Sequence, residues 1–160
     1  MQAVQKDNYT HRQPNSNDCF VCGRHNPVGL KMAFFHDGQR SVYSEVAIPE
    51  HFQGYPGIVH GGVVAAILDE TVARVSMIGD PHHFMMSVKL EVKYRHPVPT
   101  ETPLQVVGEI VKLRGRLGQA VGKLLLPDGQ LIAEAALTLA DVPQEILSSA
   151  NLEALAWYVG

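Results

Sequence analysis

Long apolar runs are missing from this 160-residue chain. None reaches the roughly 20 residues that cross a bilayer, so no membrane helix is expected. The opening residues Met1-Gln2-Ala3-Val4-Gln5-Lys6-Asp7 hold no apolar block of the secretory kind. A cytoplasmic location without a membrane partner is therefore expected. A strong charge of one sign is missing too. With 13 basic and 16 acidic residues the net charge is -3. That balance is a poor match to a nucleic-acid backbone, and no nucleic-acid partner is expected. The chain has no 20–50-residue repeat and no low-complexity tract. It also lacks a Gly-x-Ser-x-Gly elbow, which argues against a Ser-His-Asp mechanism.

Cysteine is scarce: the chain has 2, Cys19 and Cys22. A closed zinc site needs four ligands. His36 or Asp18 would have to complete it, and neither stands at standard spacing. A redox pair would be expected where a strand runs into a helix. Here the turn formers Gly23, Asn26 and Pro27 follow instead. The reading is two reduced cysteines in a turn packed on the domain, with no bound metal.

Length and ordinary hydropathy fit a single domain. Residues 1–17 are polar and aperiodic and read as a flexible tail. Strands are expected at Leu30–His36 and Ser41–Ile48. A helix follows at about Gly62–Met77, with Val64, Leu68, Val72 and Val75 on one stripe and Val63, Ile67 and Thr71 widening it. Four more strands are expected at Met85–Tyr94, Leu104–Leu113, Gln119–Leu126 and Leu131–Ala140. Pro127-Asp128-Gly129 is a hairpin signal between the last two. Residues 142–160 read as a helical extension, its helix running from Pro143 to Trp157 with Asp141 as a candidate N-cap. Two strands, one long helix and four strands argue for the α+β class, an antiparallel sheet packed on one central helix.

The run Gly57-Ile58-Val59-His60-Gly61-Gly62-Val63-Val64-Ala65-Ala66-Ile67-Leu68-Asp69-Glu70 carries the most chemistry. A glycine-rich turn enters an apolar helix that then holds two acids. Carboxylates among aliphatic groups cost several kcal/mol unless paired or hydrogen-bonded. Gly61 and Gly62 stand where the first helical N–H groups lack internal partners and the dipole is positive. That is a site for a developing oxyanion. Glu70 stands four residues before Arg74, a pairing distance, while Asp69 points about 100° away around the helix.

Together with its neighbours, this run resembles the hotdog-fold acyl-CoA thioesterases of the PaaI-like and THEM-like group. Cys19-Phe20-Val21-Cys22-Gly23 and Asn26-Pro27-Val28-Gly29-Leu30 are similar to that group's N-terminal segment. Phe52-Gln53-Gly54-Tyr55-Pro56-Gly57 resembles its lead-in to the helix. Ser87-Val88 and Tyr94-Arg95-His96-Pro97-Val98-Pro99 resemble the strand after it. The matches keep their order from Cys19 to Asp141. The resemblance implies a hotdog domain, taken as residues 18–141, with the sheet wrapped around the helix.

It also implies thioester hydrolysis, giving free coenzyme A and a carboxylic acid, with no cofactor beyond the coenzyme A of the substrate. Asp69, nine positions after His60, matches the acidic position and would activate water or attack directly. The competing roles are a mere partner for Arg74, or Glu70 as the main base. The Gly61 N–H would hold the carbonyl oxygen, and Ser87 would orient the water. His60, Gly62 and Gln53 would support the oxyanion loop. Human members use an Asn ahead of His-Gly-Gly; here Gly54 stands there, so that role is absent or passes to Gln53. Arg95, Lys112, Arg114, Gly115 and Arg116 are candidates for the phosphates of coenzyme A. Met85, Met86, Phe84 and Tyr55 are candidates for an acyl tunnel, or plain core.

Gly61 and Asp69 lie eight residues apart, about 12 Å along a helix axis. One carbonyl cannot reach both at contacts of about 3 Å. The expectation is a homodimer with antiparallel central helices and two shared sites, with a dimer of dimers left open. A monomer in which one of the two groups works alone is the alternative. A non-catalytic acyl-CoA-binding hotdog module and an enoyl-CoA hydratase of the same fold are the rival functions.

Overall fold

The structure is a computed structural model describing residues 4–150 and 152–160. Seven strands form one antiparallel sheet: β1 (His11–Arg12), β2 (Phe34–His36), β3 (Ser41–Ala47), β4 (Met85–Tyr94), β5 (Pro103–Arg114), β6 (Leu117–Leu125) and β7 (Leu131–Asp141). Their spatial order is β1-β2-β3-β5-β6-β7-β4, which leaves β4 at one edge. The long helix α1 (Gly61–Ala73) lies across β3 to β7 on one face.

Strand β6 shows why this sequence makes a sheet. Gly118, Ala120, Gly122 and Leu124 are buried, and the residues between them are exposed. That period of two faces one side to the helix. Helix α1 answers with Val64, Ile67, Leu68, Thr71 and Val72, all buried at helical spacing. Phe34, Ile48, Leu104, Ile132 and Leu139 complete the core. Arg74–Met77 tightens into a 3-10 turn, so the expected Gly62–Met77 helix holds with its last turn overwound.

Two glycines set how closely helix and sheet approach. Gly108 and Gly122 are register partners on β5 and β6. A Cβ on Gly122 would stand 2.2 Å from Val72 Cγ2, and one on Gly108 would stand 2.9 Å from the Thr71 carbonyl oxygen. Gly122→Val is therefore expected to cost about 1–3 kcal/mol or more, the range for overpacking. Urea unfolding measures it. A stability unchanged from wild type would show that the helix can shift freely.

Both ends depart from expectation. Residues 1–3 of the tail lie outside the described residues. Residues 5–8 and 10–12 are exposed, but β1 pairs with β2, and Gln13, Asn15 and Ser16 are buried. The Asn15 amide donates to the carbonyls of Cys22 and Met32, both at 2.8 Å. The strand expected from Leu30 starts only at Phe34, after Lys31 turns at φ 54. The helix expected over 143–157 is broken into α2 (Gln144–Ser149) and α3 (Leu152–Leu155). The Ser148 and Ser149 hydroxyls bond the carbonyls of Glu145 and Ile146, and Ala150 is extended. Such side-chain bonds compete with the helix ladder. Asp141 caps nothing: it ends β7 with its carboxylate 2.9 Å from His83 Nε2, and Pro143 takes the N-cap. Among the described residues no helix is long and apolar enough to cross a membrane.

Candidate active site

The entry to α1 is a braced loop. Val59 N–H donates to Val98 O at 2.8 Å and His60 N–H to Phe52 O at 2.9 Å. His60 caps the helix, its Nδ1 accepting from the Gly62 N–H at 3.0 Å. Val63 and Val64 donate to the His60 carbonyl at 2.9 and 3.2 Å. Of the first four helical N–H groups, Gly61 alone has no acceptor among the described residues. The fold does not demand glycine there. A Cβ on Gly61 would rest at ordinary contact, 3.5 Å, from the Tyr94 hydroxyl. Gly62 is different, since its Cβ would press on His60 Nδ1 at 3.1 Å. Gln53 is not aimed at Gly61: its Oε1 accepts from the Gly57 N–H at 3.1 Å and closes the loop on itself. A cavity of about 370 Å³ opens beside this turn, lined by Tyr55, Ile58, Gly61, Val64, Tyr94 and Pro97.

Two turns along the helix, Asp69 accepts from the Ser87 hydroxyl at 2.6 Å. Ser87 sits where β4 slips register against β7, between Ser87 and Lys89. Such bulges re-aim side chains. Asp69 does not pair with Arg74. Glu70 does, with Arg74 Nε 2.9 Å from its Oε1. Burial pushes the Glu70 carboxyl above its ordinary value, with the Arg74 charge pulling the other way. Asp69 and Ser87 do not line the cavity at Gly61. One chain thus holds an N–H donor at the start of α1 and a carboxylate–hydroxyl pair farther along it, as the helix length requires.

Residues 56–133 match the model of the Thioesterase superfamily. Over that stretch the chain is similar to that superfamily. Acyl-coenzyme A thioesterase THEM4 of Rattus norvegicus is 35% identical over 90 residues, covering 56% of this chain and 38% of that protein. The chain spans under two fifths of the length of that relative. A thioesterase superfamily protein of known crystal structure is 28% identical with a TM-score of 0.70, over 78% of this chain and 61% of that one. The structure of smu.793 from Streptococcus mutans UA159 bound to acetyl CoA is 17% identical with a TM-score of 0.59, over 64% of this chain and 81% of that one. The last likeness speaks for the fold alone. The seven-stranded sheet around one long helix is the hotdog fold.

Within this hotdog domain the basic candidates do not gather in one chain. Lys112, Arg114, Gly115 and Arg116 surround the β5–β6 turn, where Gly115 has φ 58. Lys112 and Arg114 line a depression of about 250 Å³ with Leu117 and Thr138. This turn lies at the Met85 end of the sheet, through the pairs Leu117↔Ala140 and Met86↔Ala140. Arg95 lies beyond the other end of β4, bound to Glu134 Oε1 at 2.7 Å. That bond holds the Glu134 carboxyl below the usual range. Tyr94 is a residue that motif reading left without a role. Its hydroxyl donates to the Gly61 carbonyl at 2.7 Å and steadies the first helical residue. Its place in the Tyr94-Arg95-His96-Pro97 run was visible; its 33-residue reach to Gly61 was not.

Proposed function

We propose that this chain is an acyl-CoA thioesterase whose site is shared across a homodimer. The observation that carries the reading is the half-buried Asp69–Ser87 pair between α1 and β4, with a Gly61 N–H on the same helix that has no acceptor among the described residues. The Ser87 proton is committed to Asp69 Oδ1. Ser87 Oγ and Asp69 Oδ2 are then two acceptors that fix one water by its two protons. Asp69 takes a proton as that water attacks the thioester carbon, and the carbonyl oxygen gathers charge against the Gly61 N–H of the other chain. Collapse breaks the carbon–sulfur bond, the leaving coenzyme A sulfur takes the proton from Asp69, and the carboxylic acid remains.

The edge strand supports the dimer. Met86, Val88, Leu90 and Tyr94 are exposed on β4, whose outer edge is unpaired. Long apolar edges are templates for pairing. Helix α1 and strand β4 run in opposite directions, since Asp69 meets Ser87 while Gly61 meets Tyr94. A two-fold axis midway between Ser87 and Tyr94 pairs two β4 strands antiparallel. It carries the partner's Gly61 toward Asp69. It also carries the partner's Arg95 toward Lys112, Arg114 and Arg116, so a basic set for coenzyme A phosphates forms from both chains.

Gly61→Pro tests the oxyanion donor cleanly. Proline deletes the N–H, suits the first helical position, and needs an extended residue before it. His60 already has φ -58 and ψ 133. Free-thiol release from a panel of acyl-CoA thioesters should fall by about 10²–10³ in Gly61→Pro. Mixing it with Asp69→Asn after unfolding and refolding should restore roughly a quarter of wild-type turnover. Half the dimers are then mixed, each with one whole site. Two inactive variants that stay inactive together would overturn the shared site. Wild-type protein that releases no thiol from any thioester would overturn the activity.

A further inference from the structure

Cys19 and Cys22 take no part in that reaction, yet the chain builds a pocket of donors around them. Cys19 Sγ accepts from the N–H groups of Val21 at 3.3 Å and Cys22 at 3.4 Å. Gly23 closes the turn: its N–H bonds the Cys19 carbonyl at 2.8 Å, and a Cβ there would stand 2.3 Å from that oxygen. Two N–H groups thus point at one sulfur, while Cys22, burial and the Glu70 charge keep the Cys19 proton in place until a cation displaces it. Cys22 is buried, at 1% exposure.

The third group comes from helix α1. Arg74 Nε and Nη2 both lie 2.9 Å from Glu70 Oε1. That leaves Oε2 turned to the cysteines, 4.0 Å from Cys19 Sγ. The two sulfurs and a Glu70 carboxylate oxygen all lie within 4.8 Å of one another. The vertices of a tetrahedral zinc site with such ligands stand roughly 3.5–3.8 Å apart, from metal–ligand lengths of about 2.3 Å for sulfur and 2.0–2.2 Å for oxygen. A contraction of at most about 1.3 Å separates the two arrangements.

We propose that Cys19, Cys22 and Glu70 bind one zinc ion, with water or the Ser16 hydroxyl in the fourth position. Ser16 Oγ is 3.6 Å from Cys22 Sγ. The charges balance. Both thiols release their protons on binding, two thiolates offset the ion, and the Glu70–Arg74 pair stays neutral, so no net charge is buried. Arg74 acts as the outer partner that aims the carboxylate. Exchange of the cysteines as a redox couple fits less well, because an attacking sulfur must be open to solvent. Cys22 is enclosed, and Cys19 faces Glu70. The ion would fasten residues 14–22 to the helix one position after Asp69. By spacing, neither His36 nor Asp18 suited a site with these cysteines, and no metal was expected; the fold brings Glu70 to them instead.

Cobalt titration of the reduced, metal-free protein tests this apart from any thioester turnover. One Co²⁺ per chain should bind with a thiolate-to-cobalt charge-transfer band in the near ultraviolet, and Zn²⁺ should erase it. Cys19→Ser and Cys22→Ser should each abolish the band while circular dichroism stays unchanged. Glu70→Gln should weaken Zn²⁺ by about 10- to 100-fold or more. Zn²⁺ should also slow alkylation of both thiols. Alkylation at one rate with and without Zn²⁺, or a band that survives in Cys19→Ser, would overturn the proposal. So would a reduced protein that takes up no metal and only closes a Cys19–Cys22 disulfide on exposure to peroxide.

Discussion

Asp69→Asn should lower kcat for thioester hydrolysis by about 10²–10⁴-fold, the span that general-base groups contribute. The substitution is chosen to leave the fold alone. Asparagine keeps an oxygen to accept the Ser87 hydroxyl, which now stands 2.6 Å from Asp69 Oδ1. It puts an NH₂ where the second carboxylate oxygen was. An acceptor that could take a proton from water becomes a donor that cannot. KM should move little, because the amide has the size of the carboxylate and the proposed phosphate contacts lie elsewhere. Ser87→Ala should cost less, since it removes one of two water contacts and leaves the base. Steady-state rates with circular dichroism as the folding control give the answer. Full turnover in Asp69→Asn would remove Asp69 from the chemistry, and Glu70 cannot replace it while its carboxylate is held by Arg74.

What was legible in the sequence was local. Asp69, Gly61 and the Glu70–Arg74 pair all lie in one helix, so fixed angular steps place them without knowledge of the rest of the fold. Strands β6 and β7 were legible because one face of each is buried, which imprints period two; β4 is exposed along most of its length and carries no such imprint. The buried stripe of α1 was legible for the same reason at its own period. The Asp69–Ser87 contact was not legible: the resemblance gave Ser87 a role toward water, and no periodicity links positions 18 residues apart.

The two ends were illegible for a shared physical reason. Their order comes from side chains bonding backbone. Gln13 and Asn15 look like tail residues in composition, yet the Gln13 amide donates to the Arg74 carbonyl at 3.1 Å, across 61 residues. Arg24 donates to the carbonyls of Ala156 and Tyr158 across more than 130 residues. Bonds of that kind leave no repeating pattern to read. The Cys19–Glu70 approach belongs to the same class: Cys-x-x-Cys was visible, but its carboxylate neighbour is 51 residues away.

Arg74→Leu should cost about 3–5 kcal/mol, the range for removing one partner of a buried ion pair. Arg74 is 1% exposed and makes more than a pair. Its Nη1 donates to the Pro14 carbonyl at 2.8 Å, and its guanidinium stacks 4.1 Å over the Phe34 ring and 5.2 Å from Trp157. One planar group therefore joins the N-terminal segment, the helix, the sheet and the C-terminal segment. Leucine fills part of the volume but strands the Glu70 charge and the Pro14 carbonyl. Lysine should rescue little, because a point charge cannot serve three directions as the fork does. Glu70→Leu combined with Arg74→Leu should recover much of the loss, since neither charge is then left unpaired. Urea unfolding in chelator, which removes any contribution from bound metal, reads all three variants. A single Arg74→Leu within about 1 kcal/mol of wild type would mean that the ends dock without it. The segment over Cys19 and Cys22 would then need another anchor.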